Sequence, residues 1–193
     1  MSKEKLLLIG AGGFGRVVSE LAAMQYDCAF VDDGIASGTE ICGLPVLGGT
    51  ADLPRLFPTY RQLVVTIGCN AIRERLYRAA AEIGYAFPPL RHPSAYVSPY
   101  ARLGEGCVLL QHTTVQNGAS VGSGVLLNPG VEIHHDCTVG DYDLIYTNSV
   151  VRTYATVGKC VRIGSNVTIC NNAVVSDGAD IPDCIAVHSE VNE

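Results

Sequence analysis

An aliphatic residue recurs at every sixth place from Val97 to Val187, and that pattern leaves the chain few ways to fold. The positions are Val97, Leu103, Leu109, Val115, Val121, Leu127, Ile133, Val139, Ile145, Val151, Val157, Ile163, Ile169, Val175, Ile181 and Val187. Ile, Leu and Val make up about three in ten residues of this stretch, so chance gives such a run on the order of once in 10^8, even over six registers.

Two further columns follow the first. Four places on, the residue is small: Ala101, Cys107, Thr113, Ala119, Val125, Val131, Cys137, Ser149, Ala155, Val161, Val167, Ala173 and Ala179, with Asp143 as the polar exception. Three places on stand Gly106, Gly118, Gly124, Gly130, Asp136, Asn148, Asn166, Asn172 and Gly178, residue types that tolerate a positive φ. Each hexad therefore reads as a short strand and a corner, with the aliphatic and small residues pointing inward. Three hexads close a triangular coil of eighteen residues, and fifteen hexads make five coils of a parallel β-helix.

The remaining chain is long enough for a second unit. At 193 residues and 48% hydrophobic composition, one or two domains can bury a core. A net charge of -6 argues against a nucleic-acid surface, which needs a basic stripe. No run of eighteen apolar residues suits a membrane span, and the opening MSKEKLLLIG lacks the h-region and cleavage site of a leader. These features predict a cytoplasmic protein. None of the eight cysteines forms a Cys-x-x-Cys pair, and Cys107 and Cys137 fall in the small inward column, so all eight are read as reduced.

At the N-terminus, the apolar strand Lys5 to Ile9 runs into Gly10-Ala11-Gly12-Gly13-Phe14-Gly15 and a helical pattern over Arg16 to Met24. Glycines let the backbone approach a ligand, and the helix dipole favours an anion there. A second strand, Cys28 to Val31, ends in Asp32-Asp33, about twenty residues on, where a carboxylate can accept from a ribose. The alternative is a tight turn that packs helix on strand. Thr50 is placed to cap a short helix, Leu63 to Ile67 reads as a buried strand, and Asn70 as the N-cap of a helix over Ala71 to Ile83, closed by Gly84. Arg73, Glu74, Arg75, Arg78 and Glu82 are read as a solvated helix face. Three strands make one mononucleotide half of a doubly wound fold, too little for a nicotinamide dinucleotide. Pro88-Pro89 marks the linker, giving an α/β domain over 1–88 and a solenoid over 89–193.

This assembly resembles the bacterial sugar acyltransferases built on hexapeptide repeats, the family that includes sialic acid O-acetyltransferases and UDP-4-amino-sugar N-acetyltransferases. The matching pieces are the glycine loop, Val31-Asp32-Asp33, Pro45-Val46-Leu47-Gly48-Gly49, Ile67-Gly68-Cys69-Asn70 through Arg73, His92-Pro93-Ser94-Ala95, and Asn128 with His135-Asp136-Cys137-Thr138-Val139-Gly140-Asp141-Tyr142. The resemblance implies a half-Rossmann α/β domain followed by a left-handed parallel β-helix of about five coils, assembled as a homotrimer. It implies that Gly12, Gly13, Phe14, Asp32, Asp33, Gly68 and Asn70 hold the nucleotide of a nucleotide-sugar, whose amine or hydroxyl reaches His135. By the same resemblance His135 is the general base, Asp136 raises its basicity and Asn128 lies nearby. Acetyl-CoA is implied between two subunits, at positions that include Leu144, Thr153, Gly164 and Ser165, and no metal is implied.

The chemistry suits these residue types. A thioester carbonyl is already electrophilic, so what is missing is a deprotonated nucleophile, and imidazole takes protons near neutrality. The resemblance implies that a backbone amide one coil on from His135, at Thr153, supplies the oxyanion donor; one coil is one strand spacing, about 4.8 Å, so the geometry is reachable. Arg152, Lys159 and Arg162 cluster nearby, to meet the anionic CoA or simply to face water. His135 also has a purely structural reading, as a corner histidine bonded to Asp136. His134 reads as a surface neighbour and His112 as a ladder residue.

Several residues depart from the family pattern. Phe14 stands where nucleotide-amino-sugar members often have histidine, Leu144 where the family tends to have histidine, and Thr153 and Tyr154 where it tends to have glycines. The chain ends without the Gly-x-Pro-Ala segment common in relatives, which predicts that the donor site lacks its last wall. Two other readings follow: a catalytically drifted trimeric nucleotide-binding scaffold or regulator, and a zinc hydrolyase. The second is set aside, because five places after His134 is Val139 and thirty-six before it is Ser98.

Overall fold

The computed structural model describes residues 3–188. The chain divides into two compact units, Met1–Leu90 and Arg91–Glu193.

The first unit is built on a parallel three-stranded sheet. Strand β1 (Lys5–Ile9) lies between β2 (Asp27–Val31) and β5 (Gln62–Val65), while the short β3 (Glu40–Ile41) and β4 (Leu44–Pro45) form a separate hairpin. Helix α1 (Gly13–Gln25) returns the chain from β1 to β2, a short α2 (Leu53–Leu56) precedes β5, and α3 (Asn70–Ile83) follows it. The strands read as near-continuous apolar runs because the sheet is covered on both faces. Leu6, Leu7, Leu8, Phe30, Val31, Leu63, Val64 and Val65 are all fully buried. Burial also pushes the Cys28 thiol up to about 11, so that side chain behaves as a hydrophobe.

Three local expectations are corrected here. Thr50 does not cap the short helix: its hydroxyl and amide bond the Asp33 carboxylate, and Asp52 Oδ2 accepts from the Gly49 amide at 3.1 Å. Asn70 is not the N-cap of α3 but its first residue, the cap being Cys69. Arg73 is not solvated. It is completely buried, and its guanidinium donates to the carbonyls of Ile67 and Gly68 and to Asn70 Oδ1, at 2.9, 3.2 and 2.9 Å. Among the described residues no backbone amide donates to the Ile67 or Gly68 carbonyl, and a planar fork satisfies several oxygens at once.

The second unit is the solenoid, a left-handed parallel β-helix. Its two-residue strands stack into three parallel sheets of six, five and six strands, each residue pairing with the one eighteen places on, as Val115 does with Ile133 and Ile133 with Val151. The aliphatic and small columns form one interior cluster. The sheet order starts at Leu90–Arg91, where Arg91 breaks the aliphatic column and instead donates to the Ala95 carbonyl. The corner column takes a positive φ at every sixth residue from Gly106 to Cys184, including His112, Tyr142, Tyr154, Cys160 and Cys184. Left-handed backbone at a β-carbon costs about 1–2 kcal/mol, and the ladder on either side outweighs it.

The small column also has a polar function. Cys107, Cys137 and Ser149 each donate to the corner carbonyl fifteen residues on, at Gly122, Arg152 and Gly164. Asp143, the polar exception, accepts from the Val161 amide at 2.7 Å. Ser149 does both, receiving the Val167 amide at 3.0 Å while donating to Gly164 at 2.6 Å. Ser149→Ala is therefore expected to cost about 1–3 kcal/mol by stranding a buried donor and acceptor. Urea unfolding followed by circular dichroism measures this, and an unchanged midpoint would show that the corner re-forms its own bond.

Candidate functional site

The solenoid site is assembled from corners of three successive coils. His135 and Asp136 share one corner, and Asp136 adopts φ 59°, which turns its carboxylate back toward the imidazole: Asp136 Oδ2 lies 2.9 Å from His135 Nδ1. An ionised carboxylate only accepts, so Nδ1 carries the hydrogen and Nε2 presents its lone pair. On the coil before, Gln116 Oε1 accepts from the His135 amide at 3.1 Å. Gly118 on that coil leaves room for Asp136, since a Cβ there would collide with the carboxylate oxygen. On the coil after, Thr153 Oγ1 lies 3.2 Å from His135 Nε2, and the Tyr154 ring stands edge-on to the imidazole, with centroids 6.0 Å apart. Both His135 and Asp136 are about half exposed.

The backbone amide of Thr153 is free of the aspartate that occupies three of its counterparts, a condition it shares with the amides of Asp141 and Thr147 among the described residues. The amides of Ser123, Lys159 and Ser165 each donate to an aspartate one coil on, Asp141, Asp177 and Asp183. Position 171, one coil after Thr153, is asparagine, and the Thr153 amide meets no acceptor among the described residues. A half-buried amide one strand spacing from the imidazole is a donor for a developing oxyanion.

The remaining predicted positions divide by what already occupies them. Asn128 donates its side-chain amide to the Ile145 carbonyl at 3.2 Å. It lies at the corner that begins the face ending at His135, and no bond joins the two among the described residues. Leu144 is buried in its sheet at 4% exposure, between Leu126 and Arg162. Gly164 and Ser165 spend their amides on Ile181 and Asp183. Arg162 is held by Asp180 at 2.5 Å and lies over the Tyr146 ring; the Asp180 bond, the largest influence, raises its already high pKa. Lys159 stands 4.0 Å from Asp177. Arg152 is exposed, and its guanidinium meets no acceptor among the described residues. His134 faces Glu132 at 3.4 Å. The expected missing wall concerns residues beyond His188, outside the described range.

In the first unit, a cavity of about 500 Å³ opens at the carboxyl ends of β1, β2 and β5, lined by Gly10, Asp32, Asp33, Thr50, Ile67 and Arg75 among others. This is where parallel α/β sheets bind ligands. Asp32 accepts from the amides of Ala11 and Gly34, both at 2.8 Å, which fixes the glycine loop and leaves each oxygen a second lone pair. Asp33 is held by Thr50. Asn70 Oδ1 and the Gly68 carbonyl are committed to Arg73, and Phe14 is half-buried on α1. Arg75, read from sequence as solvated, lines this cavity, and nothing in its spacing marks it apart from its helix neighbours.

The glycines of the loop do different work. Gly10 has φ 105°, and a Cβ on Gly15 would run into the Gly10 carbonyl, so both are required by the fold. Gly12 and Gly13 need no positive φ and a Cβ on either would meet nothing within 4 Å. The fold does not explain their lack of a side chain, whereas close approach of a ligand does. Gly13→Ala is expected to leave stability unchanged or raise it by up to about 1 kcal/mol through helix propensity, and to weaken nucleotide binding at least about tenfold. Calorimetric titration with a nucleotide-sugar measures the affinity, and unaltered binding would remove Gly13 from the site.

Among the described residues no group of three or more His, Cys, Asp or Glu could hold a metal ion, and no helix is long and apolar enough to cross a membrane.

Comparison with known proteins meets this geometry. The PglD N-terminal domain family matches residues 5–80. The acetyltransferase domain of PglB from Neisseria gonorrhoeae FA1090 superposes with a TM-score of 0.91 at 31% identity, over 99% of this chain and 94% of that one; its complex with acetyl coenzyme A gives 0.86 at 33%, over 95% and 97%. PerB from Caulobacter crescentus, solved with CoA and GDP-perosamine, gives 0.58 at 29%, over 94% and 92%. GDP-perosamine N-acetyltransferase of Escherichia coli O157:H7 is 26% identical over 182 residues, 89% of this chain and 77% of that protein. A half-Rossmann unit joined to a left-handed β-helix with a corner imidazole defines an acetyl-CoA-dependent transferase. The chain belongs to the hexapeptide-repeat sugar acetyltransferases.

Proposed function

We propose that this protein transfers the acetyl group of acetyl-CoA to the amine of a nucleotide-linked sugar, with His135 as general base. The observation that carries the reading is the oriented imidazole: Asp136 fixes the proton on Nδ1, and Nε2 points at a hydroxyl 3.2 Å away, the place an acceptor amine takes. The acceptor loses its proton to Nε2 as it attacks the thioester carbonyl. The Thr153 amide stabilises the oxyanion, and the imidazolium returns the proton to the departing thiolate. The amine is favoured over a hydroxyl because the matched relatives from Escherichia coli and Bacillus subtilis are both named as N-acetyltransferases.

In the first unit, Gly12, Gly13, Asp32 and Asp33 bind the nucleotide, and the exposed Arg75 guanidinium supplies the charge its phosphates require. A homotrimer belongs to the same reading. Asn128 and His135 stand at opposite ends of one coil face, so a site that uses both takes them from two chains. Eight free cysteines suit a reducing, cytoplasmic setting.

The test is thermal stabilisation by UDP-, GDP- and CMP-amino-sugars and by acetyl-CoA, since a ligand that binds only the folded state raises Tm by mass action. Shifts with one nucleotide series and with acetyl-CoA are the expected result. A shift with nucleotide and none with any acyl-CoA would instead favour the drifted scaffold.

A further inference from the structure

The contacts around His135 form more than a base awaiting an acceptor. Thr153 Oγ1, His135 Nε2, His135 Nδ1 and Asp136 Oδ2 lie in one chain of hydrogen bonds, with links of 3.2 and 2.9 Å. Asp136 fixes the tautomer, so the Thr153 hydroxyl is the donor in the first link. This is the order of groups that activates a hydroxyl for acyl transfer: nucleophile, imidazole, orienting carboxylate. The oxyanion donor is also present, because the Thr153 amide has no acceptor among the described residues, and a nucleophile's own amide serves in that role in serine hydrolases.

We infer that Thr153 is itself acetylated by the donor thioester when no sugar acceptor is bound, giving the protein a slow acyl-CoA hydrolase activity through an O-acetyl-threonine. The inference rests on the transferase reading only for the identity of the donor. His135 Nε2 takes the Thr153 proton as Oγ1 bonds to the thioester carbonyl carbon. The tetrahedral intermediate expels the thiolate, which takes the proton from the imidazolium and leaves as free CoA. Water, activated by the same nitrogen, then cleaves the ester, releasing acetate and regenerating the hydroxyl. A glycine at this position has no oxygen to offer, so the activity depends on threonine here.

The experiment mixes the full chain, without acceptor, with acetyl-CoA and in parallel with the activated ester p-nitrophenyl acetate. Acid quenching during the first turnover is followed by mass spectrometry. Trypsin cuts after Arg152 and Lys159, so residues 153–159 emerge as one peptide. The expected result is one acetyl group on Thr153 and a burst of thiol stoichiometric with protein. The burst is lost in Thr153→Val, which keeps the shape of the side chain, and in His135→Ala, and it returns in Thr153→Ser. If neither reagent places an acetyl group on Thr153, the proposal is overturned, and acceptor-dependent thiol release in that case leaves the transferase standing. Acetyl on Thr153 from the ester alone, with no acyl-CoA turned over under any condition, supports the triad and removes acetyl-CoA as its donor.

Discussion

His135→Ala is expected to lower acetyl transfer by a factor of about 10^2 to 10^4 while leaving the solenoid folded. The rate falls because the attacking amine must then give up its proton to water, and no other imidazole stands in reserve among the described residues. His134 is turned toward Glu132, and His112 lies on an earlier coil with its amide bonded to Ser94. Stability changes little because the His135 side chain is half exposed and its amide bond to Gln116 belongs to the backbone. Free-thiol release with a nucleotide amino-sugar measures the rate, and unfolding by urea checks the fold. If the variant turns over at the wild-type rate, the base is elsewhere and the Asp136–His135–Thr153 chain is structural.

Arg73→Leu is expected to destabilise the first unit by on the order of 3 kcal/mol or more. Leucine fills part of the volume but strands the carbonyls of Ile67 and Gly68 and Asn70 Oδ1, which the guanidinium now serves. The oxygens are only partly buried, so water reaches some of them, and the larger share of the loss comes from the cavity and lost packing where the fully buried Arg73 side chain stood. Arg73→Lys is expected to recover little, since one ammonium cannot span the same carbonyls in a plane. Limited proteolysis with circular dichroism reads the loss, with cleavage concentrated before residue 90. A leucine variant as resistant as the wild type would show that water replaces the fork.

The two units were not equally legible. The solenoid declared itself because its core is periodic: the same three columns that give the hexads are the interior, the corner lining and the left-handed corners. The Rossmann-like half followed from strand, glycine loop and acid. What stayed hidden depended on which backbone and side-chain oxygens a given residue meets once the chain is folded. Nothing local marks Arg73 as buried among Arg75 and Arg78, because its partners are three carbonyl-side oxygens of the preceding turn. Asn70 reads as a cap by type, yet its oxygen goes to Arg73. At the candidate corner, His135 and Asp136 are adjacent and easily seen, whereas Gly118 and the Thr153 hydroxyl join them through the eighteen-residue offset and Gln116 reaches the His135 amide across nineteen. The offset itself is legible in the sequence and points to Gly118 and to the Thr153 side chain, whereas Gln116 lies one residue out of register and is reached only by its long side chain.

The fixed corner geometry has a consequence for how such a site is inherited. Gln116 and Gly118, His135 and Asp136, and Thr153 occupy three consecutive turns of one edge, so the corner proposed as the active site is a cassette rather than a loop. Duplicating eighteen residues elsewhere lengthens the solenoid and leaves the cassette whole. Inserting six within it turns everything downstream by one face of the triangle and parts the imidazole from its neighbours. Descent in this architecture can therefore add or lose coils freely outside these three, while within them it is confined to exchanging side chains on a fixed lattice.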